Sequence, residues 1–250
     1  MTTLVLSPHL DDAVLCAGGL IARSCQAGTS PVVTVTIFAG APLGPLSPQA
    51  TEFHQDCGLG DDAVERRRHE DARAMSVLGA MPVWLDIPDA IYRLNGAAHR
   101  YPTRDALFGA PRGEGFVVDR AVGMILEAVP DVESIVLPLA VGGHVDHRLA
   151  RLIGEAIVDE LQPTSTLWYE ESLYESQQGA RAWRDVGTSG LSVREVTLPD
   201  DLWALKRTAV ASYSSQLKML GFAVDEDNIS MALRAERIWE AMKLRTEPSR

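Results

Sequence analysis

The sequence predicts an α/β fold, a mostly parallel sheet with helices on both faces. Three observations predict it. Short apolar runs alternate along the chain with longer amphipathic stretches, the pattern of βαβ units. The apolar runs are rich in Val, Ile and Leu and lack polar alternation, as strands buried on both sides do. Two of them lead directly into clusters of His and Asp, where open parallel sheets hold their ligands.

In chain order, TLVLS (3–7) reads as a buried strand, and AVLCAGGLIARSCQAG (13–28) as a helix ending at Gly28. PVVTVTIFA (31–39) is β-branched and reads as a second strand. Residues 40–62 carry many Gly and Pro and no periodicity, so they read as a long functional loop. AVERRRHEDARAMSVLGA (63–80) is helical and PVWLDI (82–87) is a third strand. A second loop spans 94–116, and FVVDRAVGMILEAV (116–129) is a helix stopped by Pro130. ESIVLPLA (133–140) is a fourth strand, followed by a helix over 147–161 and a late strand over 165–174. A loop region then leads to two polar C-terminal helices, roughly 200–219 and 228–244. The whole reads as one Rossmann-like domain, residues 1–250.

Composition narrows the function. A net charge of −11 disfavours nucleic acid and anionic membrane surfaces as partners. No apolar stretch approaches the roughly 20 residues of a membrane span, and MTTLVLSPHL lacks the basic start of a signal peptide. Three cysteines without CxxC spacing suit reduced thiols. Together these make a cytoplasmic protein the expectation, with oligomeric state left open. Absence of GxGxxG, and two adjacent acids in the first turn, argue against a dinucleotide.

His9, Asp11 and Asp12 crowd into four positions after the first strand, and His144, Asp146 and His147 follow the fourth. His9, Asp12 and His147 form a two-nitrogen, one-carboxylate set, the donor mix of a catalytic zinc site. A cation there offsets the cost of holding two carboxylates side by side. Asp146 suits support of the site or exposure to solvent. Taken alone, HLDD also fits a strand-to-helix turn with an Asp cap.

SPHLDDAVLCAGG and GGHVDHR resemble the two signature segments of the PIG-L/LmbE-like family, zinc-dependent de-N-acetylases of amino-sugar conjugates. RRHEDARAMSVLGA, LDIPD, LWYEESLY and KRTAVASYSSQLKML resemble further segments, so the similarity runs from about residue 4 to 220. It implies His9, Asp12 and His147 as ligands of Zn2+ or another divalent transition metal such as Fe2+. It implies Asp11 as general base and His144 as stabiliser of the oxyanion or second acid. Arg67 and Asp89 match positions that contact sugar hydroxyls. Leu10 and Ala13 depart from the family's usual Pro and Glu, and Gly142 and Gly143 precede His144 without a bulky group.

Plainer readings stand beside these. Arg67 also suits a surface pair with Glu70 or Asp71, and Asp89 a simple turn start. Tyr169 and Glu170 read as structural, and His54, His69 and His99 as loop or surface residues. The expected substrate is a small amino-sugar glycoconjugate or biosynthetic intermediate. The alternatives are an amidase for a thiol conjugate or a longer N-acyl group, a two-metal phosphoesterase, and a non-catalytic carbohydrate-binding module.

Overall fold

A computed structural model describes residues 1–171, 183, 186–219 and 231–242. A seven-stranded sheet organises them in the order β3-β2-β1-β6-β7-β9-β8. Strands β1 (Thr2–Ser7), β2 (Val32–Thr36), β3 (Met81–Trp84), β6 (Val132–Pro138) and β7 (Ser165–Tyr169) are parallel. β8 (Leu191–Thr197) and β9 (Ala235–Ala241) add an antiparallel edge. A hairpin of β4 (Leu94–Asn95) and β5 (Ala98–His99) stands apart from the sheet.

Strand pleating sends alternate side chains to two apolar layers. Leu4 and Leu6 of β1 and Ile135 and Leu137 of β6 pack with α5 (Gly115–Ala128) and α6 (Val145–Leu161). Val5 and Val136, between them, face the other way, onto α1 (Asp12–Ala27), α3 (Ala63–Leu78), α7 (Asp200–Ala211) and α8 (Ser214–Met219). Helices therefore cover both faces, as the continuous apolar runs require.

From β1 the chain moves one way through β2 and β3, then returns to the other side of β1 with β6 and β7. The reversal falls between β1 and β6, and the loops leaving their carboxyl ends open a crevice there. The two His/Asp clusters begin in those loops.

Several expectations need correction. The polar helix expected over 228–244 is a single turn at Met231–Arg234 followed by β9, with 228–230 and 243–244 outside the described residues. AERIWEA is rich in helix formers, but Trp239 pairs with Trp168 on one side and Val193 on the other, so tertiary packing outweighs propensity. The helix expected over 200–219 breaks into α7 and α8, and β8 occupies part of the supposed loop. The loop 40–62 contains α2 (Pro48–Asp56), capped by Ser47 accepting from the Ala50 amide, with Pro48 at its first position. Likewise α4 (Arg104–Leu107) and the β4–β5 hairpin lie in 94–116. The strand expected over 165–174 ends at Tyr169, with 172–174 outside the described residues.

β9 fixes the helix that carries half of the site. Helix α1 kinks at Ala17, where φ is −137° and ψ is 17°, which frees the amides beyond it. The Glu236 carboxylate accepts from Gly19 N at 2.7 Å and Leu20 N at 3.0 Å, and from Lys206 Nζ at 2.8 Å. Glu236 and Lys206 are 2% and 0% exposed, so neither charge has water to fall back on. Glu236→Gln should lower unfolding stability by about 3 kcal/mol, because it strands a buried ammonium. Urea denaturation of the variant beside the parent measures this.

Candidate metal centre

The two clusters meet at the crevice. His9 and Asp12 come from the β1–α1 turn, and His147 from the first turn of α6, after β6. His9 Nδ1 lies 3.1 Å from Asp12 Oδ2, and His147 Nε2 lies 3.2 Å from the same oxygen. The far nitrogens are held by two more buried carboxylates. His9 Nε2 is 3.1 Å from Asp146 Oδ2, and His147 Nδ1 is 2.9 Å from Glu171 Oε1. Each imidazole thus stands between Asp12 and an outer carboxylate, the arrangement that orients histidine ligands of metals.

The donor set fits a zinc ion. The candidate ligand atoms of His9, Asp12 and His147 lie within 4.8 Å of one another, and all three residues are buried. The separations of 3.1 and 3.2 Å approach the edge, roughly 3.3 Å, of a tetrahedron with bonds of about 2.0–2.1 Å. His9, His144 and Asp146 form a second compact set. There Asp146 already accepts from Ala90 N at 2.8 Å and pairs with Arg93 Nη1 at 2.6 Å. His144 Nδ1 likewise accepts the Asp146 amide at 3.3 Å. The first set is the better cradle for an ion.

Electrostatics agree. Burial alone would lower both histidines, but Asp89, Asp12 and Asp146 carry His9 well above its usual value. Asp12 and Glu171 push His147 up to about 9. The site therefore attracts positive charge, as protons or as a cation. Burial and the neighbouring Asp12 raise Asp11 to about 6, while Arg67 Nη2, 3.8 Å from Asp11 Oδ1, pulls it back. His144 is held well below its usual value by burial and by the charge of His9, so it is neutral. With Nδ1 accepting a backbone N–H, its hydrogen sits on Nε2.

A cavity of about 620 Å³ opens over this cluster, and His9, Asp11, Asp12, Arg67, Asp89 and His144 all line it. Arg67 is 6% exposed and does not pair with its helix neighbours. Glu70 instead accepts from Ser214 and Ser215, and Asp71 from Trp84 and Tyr213. Asp89 begins a turn and also faces the cluster. Its Oδ1 caps a turn by accepting from Ile91 N, and its Oδ2 lies 3.6 Å from His9 Nε2. Cys16 also lines the cavity, where burial, Asp12 and Glu171 keep it a thiol.

Of its two readings, Asp146 takes the supporting one, fully buried beside His9. Sequence reading missed other supports of the site. Arg93, which clamps Asp146, also pairs with Glu114 at 2.8 Å, and Tyr101 donates to the same Glu114. Glu171 escaped notice, although two acids at the carboxyl end of a parallel strand were a signal. Its neighbour Glu170 turns away to Arg237 and Trp239, and Tyr169 donates to Leu6 O. His54, expected at the surface, is 6% exposed and 2.6 Å from the Tyr92 hydroxyl.

Comparison with known proteins follows the same lines. The family model described as PIG-L, GlcNAc-PI de-N-acetylase, matches residues 4–158. A 2'-N-acetylparomamine deacetylase of Streptomyces fradiae is 29% identical over 182 residues, 71% of this chain. The chain spans 59% of that relative's length. A deacetylase of the teicoplanin biosynthesis pathway, solved in complex with bog, aligns over 99% of this chain and 100% of its own, with 26% identity and a TM-score of 0.80. A zinc-inhibited form of teicoplanin deacetylase shares the fold at 24% identity and a TM-score of 0.78, over 99% of this chain and 100% of its own.

Because Glu171 fixes the ring of His147, Glu171→Gln should weaken zinc affinity about 10- to 100-fold. Competition titration against a chromogenic chelator reads the change.

Proposed function

The chain belongs to the PIG-L family, GlcNAc-PI de-N-acetylase, and from that premise we propose that it is a metal-dependent N-deacetylase of amino sugars. In this reading it removes an acetyl group from a small N-acetylated glycoconjugate or biosynthetic intermediate. One observation carries the proposal. His9 and His147 are each set between Asp12 and an outer carboxylate, and His9 and Asp12 line a cavity together with Asp11 and His144. The deacetylase names of the relatives support it.

His9, Asp12 and His147 would hold the ion, with zinc the metal their donors suit and Fe2+ an alternative. When bound, it supplies Lewis acidity, polarising an amide carbonyl and bringing the pKa of water to about 7. Asp11 acts as general base. Its carboxylate, 3.8 Å from Arg67, takes a proton from attacking water and can return it to the departing amine. The Nε2–H of His144 donates to the amide oxygen as negative charge builds there. Arg67 and Asp89 contact sugar hydroxyls. The loops 40–62 and 94–116 serve as active-site loops of a single catalytic domain, since α2 and α4 both line the cavity.

A two-metal phosphoesterase would need a second set of ligands free to hold an ion, whereas Asp146 of the second set is taken by Ala90 N and Arg93. Here the two candidate sets share His9. Elemental analysis is expected to find one ion per chain. No helix among the described residues is long and apolar enough to cross a membrane, in keeping with a small soluble substrate.

The direct assay follows amine and acetate release from 2'-N-acetylparomamine and methyl N-acetylglucosaminide. Chelation should abolish release, and Asp11→Asn should lower kcat about 10²- to 10⁴-fold. His144→Ala should cost about 10²- to 10³-fold. Full activity in chelator, or in Asp11→Asn, overturns the mechanism.

A further inference from the structure

We propose that Phe108 is a positioning residue of the reaction, its ring bracing the imidazole of His144 in the orientation that meets the amide oxygen. The inference rests on the deacetylase reading and adds to it a residue from the loop over 94–113.

His144 is held loosely for an oxyanion donor. Such a donor works by being fixed in place before charge develops. Among the described residues the His144 ring has one hydrogen bond, from the Asp146 amide to Nδ1, and at 3.3 Å it is long. A bond to one ring nitrogen fixes a point but not the tilt of the ring. The preceding chain cannot fix it either. Gly142 and Gly143 stand at φ of 90° and 72°, a left-handed backbone that favours glycine, so neither supplies a side chain.

Rings do the bracing instead. Three stand steeply inclined to His144: His9 at 5.1 Å and 80°, His147 at 5.6 Å and 69°, and Phe108 at 5.4 Å and 82°. These centroid distances are those of edge-to-face pairs. His9 and His147 belong to the metal centre, so Phe108 is the brace that comes from outside it.

The short helix α4 delivers that ring. Thr103 caps it by accepting from the Ala106 amide. Leu107, 5% exposed, anchors it in an apolar cluster with Ile91, Tyr92 and Val145. Val145 follows His144 in the chain, so one cluster fixes both backbones. Phe108 packs against the same cluster and lines the cavity beside His144. The ring also shields the imidazole, which is 7% exposed, and a hydrogen bond is electrostatically stronger away from water.

An aromatic ring in a sugar site has a plainer use, which is to stack on the sugar itself. The two roles leave different traces. Stacking acts on KM whatever stands at position 144, whereas bracing acts on kcat and needs His144.

The test is a double-mutant cycle on the zinc-loaded enzyme with 2'-N-acetylparomamine and methyl N-acetylglucosaminide. Phe108→Leu keeps apolar bulk without the ring. It should lower kcat about three- to tenfold and leave KM within about twofold. Beside His144→Ala the same change should cost nothing further, and Phe108→Tyr should restore most of the lost kcat. An unchanged kcat, a loss carried by KM, or a full loss that persists beside His144→Ala overturns the brace. Thermal melting confirms that each variant is folded. If neither compound is hydrolysed, the deacetylase reading fails by itself. The NMR signal of the His144 ring, identified by its loss in His144→Ala, then decides the brace. A signal single and sharp in the parent but broadened or split in Phe108→Leu supports it. A broad signal in the parent, or one that stays single and sharp in the variant, overturns it.

Discussion

One oxygen atom, Oδ2 of Asp12, is the point on which the site converges. It accepts from the His9 backbone amide at 2.9 Å and faces ring nitrogens of His9 and His147. Those histidines reach it from loops far apart in sequence, and only the adjacency of β1 and β6 brings the loops together. Everything around the atom is buried, so each charge must be met by another. Asp146 and Glu171 hold the imidazoles from outside, Arg93 holds Asp146, and the amides of Ala140 and Val141 hold Glu171. The sheet order and the charge pattern are two sides of one requirement.

Helix α3 shows how a single element divides its labour. Arg67 faces the cavity, Glu70 anchors the start of α8 through Ser214 and Ser215, and Asp71 ties Trp84 to Tyr213. The anchoring by Glu70 leads to the cavity too, because Ser215 also receives the hydrogen bond from Gln216. Within a run of charge that looks like a solvated helix face, Arg67, Glu70 and Asp71 are buried.

The parallel strands and the inner cluster were legible in the sequence because both are local patterns. Buried strands read as apolar runs, and His9, Asp11, Asp12, His144 and His147 stand together in two short segments. What escaped depends on distant partners. β9 is built of helix-forming residues and becomes a strand only beside β7 and β8. Arg93, Glu114 and Glu171 look like ordinary surface charges until the fold places them against Asp146 and His147. α2 is different, since Ser47 and Pro48 form a local helix start hidden by the surrounding Gly and Pro.

The pair of Arg93 and Glu114 lies at the two feet of the loop over 94–113, and Arg93 also holds Asp146 beneath it. The loop is thereby closed at its base, where Tyr101 from within it also donates to Glu114. Closing a longer loop between fixed feet adds little entropic cost. Apart from Tyr101 and Arg100, the exposed part of the segment can therefore change in length and composition while the support of Asp146 stays in place. In evolutionary terms the exposed part of this loop is a cassette, able to reshape the roof of the pocket without renegotiating its floor.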